Sequence, residues 1–398
     1  MGLLGWVVFI LALCISIMIH ETGHFVTAKL FGMKATRYFL GFGPTLWSTR
    51  RGETEYGVKP LLVGGFVKIV GMHSLDDLDD PYDEPRSFRR KPAWQRIVVM
   101  VAGVFMNFVL AFALLIGMFF IVGTANDNTT QLGLISPCVA VSVKDLDNGV
   151  CGPSAPASPA KVAGLEVGDT VTAFAGKPVS NWTQLGAAIK DTKPGTHVTV
   201  SVLRDGHTKT LSTTIAQVKG RGGGYMGIEP AVVFQPAGVL GSIEQSGSFT
   251  GQVITGTAAA FGHLPSAASK LFASNRSANS GGQLCSVICA GEQTSQAVSA
   301  DAGWQSKVEV VIMITAELNI LLGIANLLPL MPLDGGLTAI VIWESIRSRI
   351  ARRRGRPDPG LVDIRKVIPV MAGVFMIFIV FVVVVMFADI FNPLPLGQ

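Results

Sequence analysis

The stretch CISIMIHETGHFVTAKLFG, residues 14–32, places two histidines and a glutamate at the end of an apolar run that begins at Leu3. Ionisable side chains are unfavourable inside a bilayer, so their presence in a spanning segment indicates a functional site. On a helix, His20 and His24 share one face and Glu21 lies beside them, so both imidazoles can bind one metal ion. This HExxH spacing is typical of catalytic zinc sites.

The composition indicates a membrane protein. Of the 398 residues, 49% are hydrophobic and only 15% are charged, which is too apolar for an ordinary soluble protein. Several apolar runs are long enough to cross a hydrocarbon core of roughly 30 Å. We therefore predict a multi-pass α-helical membrane protein with four transmembrane helices, at residues 1–30, 93–123, 308–336 and 367–390.

The distribution of basic residues predicts the orientation of these spans. Residues 23–96 and 346–366 hold 20 of the 32 Lys and Arg residues, whereas the longer stretch 123–307 holds 12. By the positive-inside rule, the N-terminus and residues 123–307 face outward, and the loop 346–366 lies in the cytoplasm against anionic lipid. No basic residue precedes the first run, so we expect it to be retained as a span rather than cleaved as a signal peptide. We expect no nucleic acid partner.

Three regions between the predicted spans each have a distinct predicted structure. Residues 36–72 alternate β-forming residues with Gly and Pro, which predicts a β-hairpin region partly inserted in the membrane. Residues 135–218 form an outward-facing α+β domain, of which 155–218 is the compact part. Residues 219–307 read as an outer linker with an amphipathic helix at 249–272.

A catalytic zinc ion needs a third protein ligand and an open position for water. The stretch NLLPLMPLDGG, residues 326–336, supplies Asp334 at the end of the third apolar run, at the same predicted depth as His20. Asn326, Pro329 and Pro332 interrupt helical hydrogen bonding just before it, which leaves an amide side chain and backbone amides for a substrate. An Asp-Gly-Gly sequence alone is more often a helix cap or a turn.

Other polar residues have ordinary structural explanations. Asn107 interrupts the second apolar run, and we interpret it as an interhelical hydrogen-bonding residue rather than a catalytic one. Cys138 and Cys151 lie in the outward-facing segment, where a disulfide and two free cysteines are equally reasonable. The sequence leaves open whether Cys285 and Cys289 pair.

The motifs together resemble the site-2 protease family of intramembrane zinc metalloproteases, in particular its PDZ-bearing bacterial members of the regulator of sigma-E type. HETGH is similar to the family's HExxH, NLLPLMPLDGG to its NxxPxPxLDG, and residues 36–72 to its membrane-inserted β-region. The AGPxxN motif of the family is also recognisable, with Val104 in place of proline. Residues 158–215 resemble a single PDZ domain, where the sigma-E regulator type carries two.

The resemblance implies a bacterial inner-membrane protease with one zinc ion per chain and no small-molecule cofactor. Its zinc ligands would be His20, His24 and Asp334, its general base Glu21, and its substrate contacts Asn326, Pro329, Gly64, Gly65 and Phe66. Its substrates would be single-pass membrane proteins, such as anti-sigma factors or signal-peptide remnants. The PDZ-like domain would exclude unshortened substrates, or capture peptides by strand addition.

Two alternative functions remain on sequence grounds. In the first, the chain would be a catalytically silent PDZ scaffold that tethers outer proteins at the membrane. In the second, it would be another class of membrane zinc protease with a third ligand other than Asp334. Metal content separates the first alternative from an enzyme, and the effect of replacing Asp334 separates the second.

Overall fold

A computed structural model describes residues 2–72, 80–140, 151–152, 155–220, 222–270, 286–300 and 302–391. The chain divides into two compact units, which we call the helical unit (residues 1–121 and 238–397) and the β-rich unit (residues 122–237). The described helices are α1 (Leu3–Leu30), α2 (Ala93–Ile121), α3 (Pro159–Ala163), α4 (Trp182–Asp191), α5 (Gly238–Lys270), α6 (Val287–Ser299), α7 (Trp304–Asn326), α8 (Asp334–Arg353) and α9 (Ile364–Phe391).

Four of the described helices are long and apolar enough to cross a membrane. They are α1, α2, α7 and the Met371–Phe391 part of α9. Since a helix satisfies its backbone hydrogen bonds internally, it is the natural form for such apolar segments in lipid. The predicted class of multi-pass helical membrane protein is confirmed.

The third span differs from its predicted extent of 308–336. Helix α7 ends at Asn326, and the chain then turns through residues 327–333 before α8 begins at Asp334. Pro329 and Pro332 lie in this turn, where neither can donate a backbone hydrogen bond to continue the helix. Asp334 therefore opens a new helix instead of closing the third span.

Two segments predicted as connections contain helices of the helical unit. Helix α5 covers most of the predicted amphipathic segment 249–272 and packs against α2 and α7. Helix α6 packs against α1 so closely that a Cβ atom at Gly5 would lie 2.4 Å from the Cα of Ser295. In the predicted basic loop 346–366, the first part is helical, because α8 continues to Arg353.

A four-stranded sheet follows α1. Its strands are β1 (Ala35–Phe42), β2 (Trp47–Arg51), β3 (Thr54–Val58) and β4 (Leu61–Ile69), in the spatial order β2-β3-β1-β4. Strands β2 and β3 form the expected hairpin, but β3 then pairs in parallel with β1, and β4 pairs antiparallel with β1. The region is thus a mixed sheet rather than a simple hairpin, and β4 is one of its two edges. Its insertion in the membrane stays a prediction.

A buried apolar cluster joins this sheet to three helices of the helical unit. It contains side chains from α1, the sheet, α2, α8 and the short segments that connect them: Ala28, Met33, Ala35, Ile69, Phe88, Val99, Met100, Leu337 and Val341. Because interiors pack at crystal-like density, this cluster holds the ends of these elements in one arrangement. The arrangement brings the HETGH segment of α1 next to α2 and the start of α8.

The β-rich unit has its own sheet and core. Strands β7 (Thr170–Phe174), β8 (Lys177–Pro178), β9 (His197–Arg204) and β10 (His207–Thr214) lie in the order β10-β9-β7-β8. Two short pairs flank this sheet: β5 (Thr124–Asn126) with β12 (Val233–Gln235), and β6 (Leu132–Ile135) with β11 (Ile228–Pro230). The unit therefore extends beyond the predicted limits of 135–218 on both sides.

A disulfide joins Cys138 to Cys151 in the β-rich unit, which decides between the two alternatives for this pair. The other possible pair involves Cys285, which lies outside the described residues. The identification of the β-rich unit as a PDZ domain stays a prediction.

Candidate metal centre and active site

Three side chains predicted to bind metal converge at one point of the helical unit. The Oδ2 atom of Asp334 lies 3.1 Å from Nε2 of His20 and 3.2 Å from Nε2 of His24. The two Nε2 atoms are themselves 3.2 Å apart. In a tetrahedral zinc site with bonds of about 2.0–2.1 Å, two ligand atoms lie about 3.3 Å apart, so this spacing fits zinc.

The protonation of the three donor groups also favours a cation. Nδ1 of His24 lies 2.7 Å from the carbonyl oxygen of Val99, which only accepts hydrogen bonds, so Nδ1 carries the proton. In the neutral imidazole, Nε2 then presents a lone pair. The Asp334 Oδ2 atom is buried and has no hydrogen-bond donor among the described residues. Converging acceptor atoms repel each other unless a cation lies between them, and the donor set of two imidazoles and one carboxylate suits zinc.

Helix α2 passes directly over the two histidine rings. A Cβ atom at Gly103 would lie 2.3 Å from Nε2 of His24 and 2.8 Å from Cε1 of His20. On the opposite side of the contact, a Cβ atom at Gly23 would lie 2.4 Å from the carbonyl oxygen of Ala102. Glycine at both positions lets the two backbones approach closely, as small residues do between spanning helices.

Asn107 makes the interhelical hydrogen bond that was predicted for it, and its partner is a histidine of the candidate site. Its side-chain amide lies 3.2 Å from Nδ1 of His20, and the residue is fully buried. The oxygen and nitrogen of an amide are assigned from their partners, and we assign the orientation in which Oδ1 accepts from the Nδ1–H of His20. That leaves Nε2 of His20 free for metal, as in sites where a ligating histidine donates its second N–H to a carbonyl.

The start of α8 is fixed by two glycines. A Cβ atom at Gly335 would lie 2.3 Å from the carbonyl oxygen of Leu328, and one at Gly336 would lie 2.7 Å from the carbonyl carbon of Leu330. Only glycine lets the first turn of α8 sit this close to the preceding turn of chain. The contact sets where Asp334, the first residue of the helix, projects.

Glu21 lies between the two histidines of the candidate site and the edge strand β4. It approaches this strand at Gly65. A Cβ atom at Gly65 would lie 3.0 Å from Cγ of Glu21 and 2.9 Å from Cγ2 of Ile17, so β4 packs tightly on this face of α1. Since β4 is paired with β1 only, the strand next to Glu21 is an edge strand of the sheet.

The remaining residues predicted to contact substrate are spread over two places. Gly64, Gly65 and Phe66 lie on β4, where the ring of Phe66 stacks on Phe39 with centroids 5.6 Å apart. Asn326 is the last residue of α7, and Pro329 lies exposed in the turn before α8. No distance observed here joins Asn326 or Pro329 to the three donor atoms, so their contact with substrate stays a prediction.

Comparison with known proteins agrees with this geometry. The family model of peptidase family M50 matches residues 8–357. The chain belongs to peptidase family M50. It is 33% identical to the zinc metalloprotease Rip1 of Mycobacterium bovis and 32% identical to Rip1 of Mycobacterium tuberculosis, in each case over 410 residues that cover 99% of both proteins. It is also 26% identical, over 350 residues, to a putative zinc metalloprotease of Fusobacterium nucleatum, with 87% of this chain and 91% of the relative covered.

Membership of the M50 family confirms the predicted resemblance to site-2 proteases, and with it the prediction of a membrane metallopeptidase that uses zinc. The HExxH spacing and the LDG sequence singled out the three residues that converge in the structure, and their role as zinc ligands stays a prediction. Gly103 and Asn107 gave weaker signals, because a glycine and an asparagine in an apolar run also occur at ordinary helix contacts. The spacing of these two residues by four positions, on one face of α2, was the available clue.

Proposed function

We propose that this M50 peptidase cleaves the membrane-spanning segments of single-pass membrane proteins, with one zinc ion held by His20, His24 and Asp334. The convergence of their three donor atoms, with Glu21 beside them, is the observation that carries the proposal. A bound zinc ion would supply a Lewis acid that activates water and polarises the scissile carbonyl. The ligands come from two helices that are far apart in sequence, so the site exists only in the folded protein.

In this proposal Glu21 is the general base and acid. Its carboxylate accepts a proton from the attacking water and then delivers that proton to the nitrogen of the leaving amine. The tight packing of Gly65 against its Cγ atom limits the movement of this side chain. A carboxylate held in this way keeps its orientation between the two proton transfers.

The substrate must be unwound before its peptide bond can react, because helical amides are hydrogen-bonded and shielded. We propose that an extended stretch of substrate pairs with the free edge of β4, since β4 is an edge strand whose Gly65 packs against Glu21. The side-chain amide of Asn326 would hold the other side of the substrate backbone, next to Pro329. Gly64 and Gly65 would allow the substrate backbone to approach β4 closely.

The finer biological assignments follow the family resemblance. We propose a location in a bacterial plasma membrane, with the N-terminus and the β-rich unit outside the cytoplasm. The β-rich unit would act as a PDZ-like gate or would capture peptides by strand addition. Anti-sigma factors and signal-peptide remnants are the substrate classes that regulated intramembrane proteolysis of this kind would use.

The test combines metal content with cleavage. Purified protein should contain one zinc ion per chain and should cleave members of a panel of single-span proteins, with products identified by mass spectrometry and abolished by a chelator. Glu21→Gln should retain the zinc and lose cleavage, because only the proton-transfer group is removed. Asp334→Ala should lose both, because the third ligand is removed.

Each alternative function predicts a different result. A metal-free wild-type protein would support the silent scaffold and contradict an enzyme. Full activity in Asp334→Ala would support another class of membrane zinc protease, and unchanged cleavage in Glu21→Gln would remove Glu21 from the reaction.

A further inference from the structure

One face of α2 contacts both imidazoles of the proposed metal site. Arg96, Val99, Gly103 and Asn107 are spaced by three, four and four residues, so they share this face. The carbonyl of Val99 binds His24, Gly103 makes room for both imidazoles, and Asn107 binds His20. Arg96, at the end of the same face, binds neither histidine.

Arg96 instead forms a buried ion pair with the helix that carries Asp334. Its Nη1 donates to Oε2 of Glu344 over 2.8 Å, and the two side chains are only 11% and 8% exposed. The other carboxylate oxygen of Glu344, Oε1, accepts the backbone N–H of Val362 over 2.8 Å. Glu344 is thus held on both sides, by α2 and by the chain that follows α8.

The pair is not an efficient way to stabilise the fold. Removing two charges from water offsets much of their attraction, and well-packed apolar side chains of similar volume often stabilise a protein at least as well. Moreover, Nε of Arg96 is buried without a partner among the described residues. Unlike apolar packing, an ion pair has a defined hydrogen-bond geometry, and this geometry fixes the rotation and the axial position of a helix.

Helix α8 is held at two points, one at each end of the segment from Asp334 to Glu344. Gly335 and Gly336 seat its first turn against the preceding turn of chain, and Glu344 ties it to α2 ten residues after Asp334. Ten residues of helix span about 15 Å, and a helix of that length moves as a rod. A shift at Glu344 is therefore transmitted to the carboxylate of Asp334.

We propose that Arg96 and Glu344 are a positioning pair for the metal site: they hold α8 so that Asp334 meets the two imidazoles at ligand distance. This inference depends on the proposed function, because it assumes that Asp334 is a zinc ligand. Helix α2 would then orient all three ligands from one face, two of them directly and the third through α8.

The experiment uses the full-length protein, purified without metal and titrated with Co²⁺, whose visible absorption reports the geometry of its ligands. Glu344→Gln should fold, show an altered cobalt spectrum and bind Zn²⁺ at least tenfold more weakly in competition with a chelator. The neutral amide retains the shape of the side chain, but its NH2 group cannot accept, so one of the two hydrogen bonds is lost and the other no longer involves a charged acceptor. Glu55→Gln is the matched control, since Glu55 pairs with Arg37 at 3.7 Å on a more exposed surface, and it should behave as the wild type.

A second variant is needed if Glu344→Gln fails to fold because Arg96 has lost its charged partner. The double variant Arg96→Met with Glu344→Leu replaces the pair by apolar side chains and should fold, again with an altered cobalt spectrum and weaker zinc binding. A wild-type spectrum and wild-type zinc affinity in a folded variant would overturn the positioning role and leave the proposed function intact. A wild-type protein that binds neither metal, or a His24→Ala variant that binds cobalt normally, would overturn the proposed function and this inference with it.

Discussion

Gly103 lies where α2 crosses the two imidazole rings, and its missing side chain makes room for them. In Gly103→Ala the new methyl group would occupy the position 2.3 Å from Nε2 of His24, so either the ring or the helix must move. Alanine favours a helix by about 1 kcal/mol over glycine, so the helix itself is retained. We expect zinc affinity to fall about 10- to 100-fold or more, the range found when groups that support metal ligands are changed.

Gly117→Ala is the control for this prediction. It makes the same substitution in the same helix, but no atom lies within 4 Å of the added methyl group. Zinc affinity, measured by competition with a chelator of known affinity, should be unchanged in this variant. Equal affinities in the two alanine variants would show that the imidazoles do not lie beneath α2 as described.

The roles of some single residues can be predicted from the sequence more readily than the roles of others. His20, Glu21 and His24 are four or fewer positions apart, so one turn of helix was enough to predict that they act together. Asn107 gave no comparable signal, because its partner His20 is 87 positions away and only helix packing brings the two together. The sequence therefore shows that a polar residue lies inside a spanning run, but it does not predict which residue that side chain contacts.

Among the elements, the sheet after α1 was only partly predicted. The hairpin of β2 and β3 follows from a local turn, but the parallel pairing of β1 with β3 and the edge position of β4 depend on long-range contacts. Likewise, Pro329 and Pro332 predicted a break before Asp334, yet the sequence did not reveal that a new helix begins there. Turn residues and prolines determine where a helix or strand ends, whereas tertiary packing determines which other elements it contacts.

In the β-rich unit, a buried carboxylate connects β9 to the start of β7. Arg204 donates from Nε and Nη2 to the two oxygens of Asp169, at 2.6 and 2.7 Å. Burial alone would raise the pKa of Asp169, but the hydrogen bonds from Arg204 and the Glu166 backbone N–H outweigh it and hold the pKa below its ordinary value. The resulting stability is present above the unfolded-state pKa of about 3.9 and is lost as the pH falls through the lower folded-state pKa.

Asp169→Asn should therefore destabilise the β-rich unit at neutral pH by roughly 2 kcal/mol, the size of a hydrogen bond to a charged group. Hydrogen exchange of residues 197–214, followed by mass spectrometry, should be faster in the variant at pH 7, and the difference should shrink as the pH falls below about 4. Asp191→Asn removes an exposed carboxylate from the same unit and should leave exchange unchanged. A difference between Asp169→Asn and wild type that does not depend on pH would contradict this account.

For the whole molecule, the predicted orientation in the membrane can be tested by labelling. Lys177 lies in the β-rich unit and Arg356 follows α8, and both are exposed. Because the distribution of basic residues places them on opposite sides, Lys177→Cys should react with a membrane-impermeant maleimide in intact cells, and Arg356→Cys only after permeabilisation. The parent protein gives the background from its own cysteines. The reverse pattern would invert the topology of the entire chain.

The sequence by itself determined the membrane class, the number of long apolar helices, the HETGH segment and the need for a distant third ligand. These features depend on local hydrophobicity and on helical spacing, which are properties of short stretches of chain. The family resemblance extended them to the chemistry of a zinc protease. Only the tertiary structure decided how the three donor atoms meet, because Asp334 is separated from His24 by most of the chain. It also decided that one face of α2 supports the site, since the contacts of Arg96, Gly103 and Asn107 arise from helix packing, which short stretches of sequence do not specify.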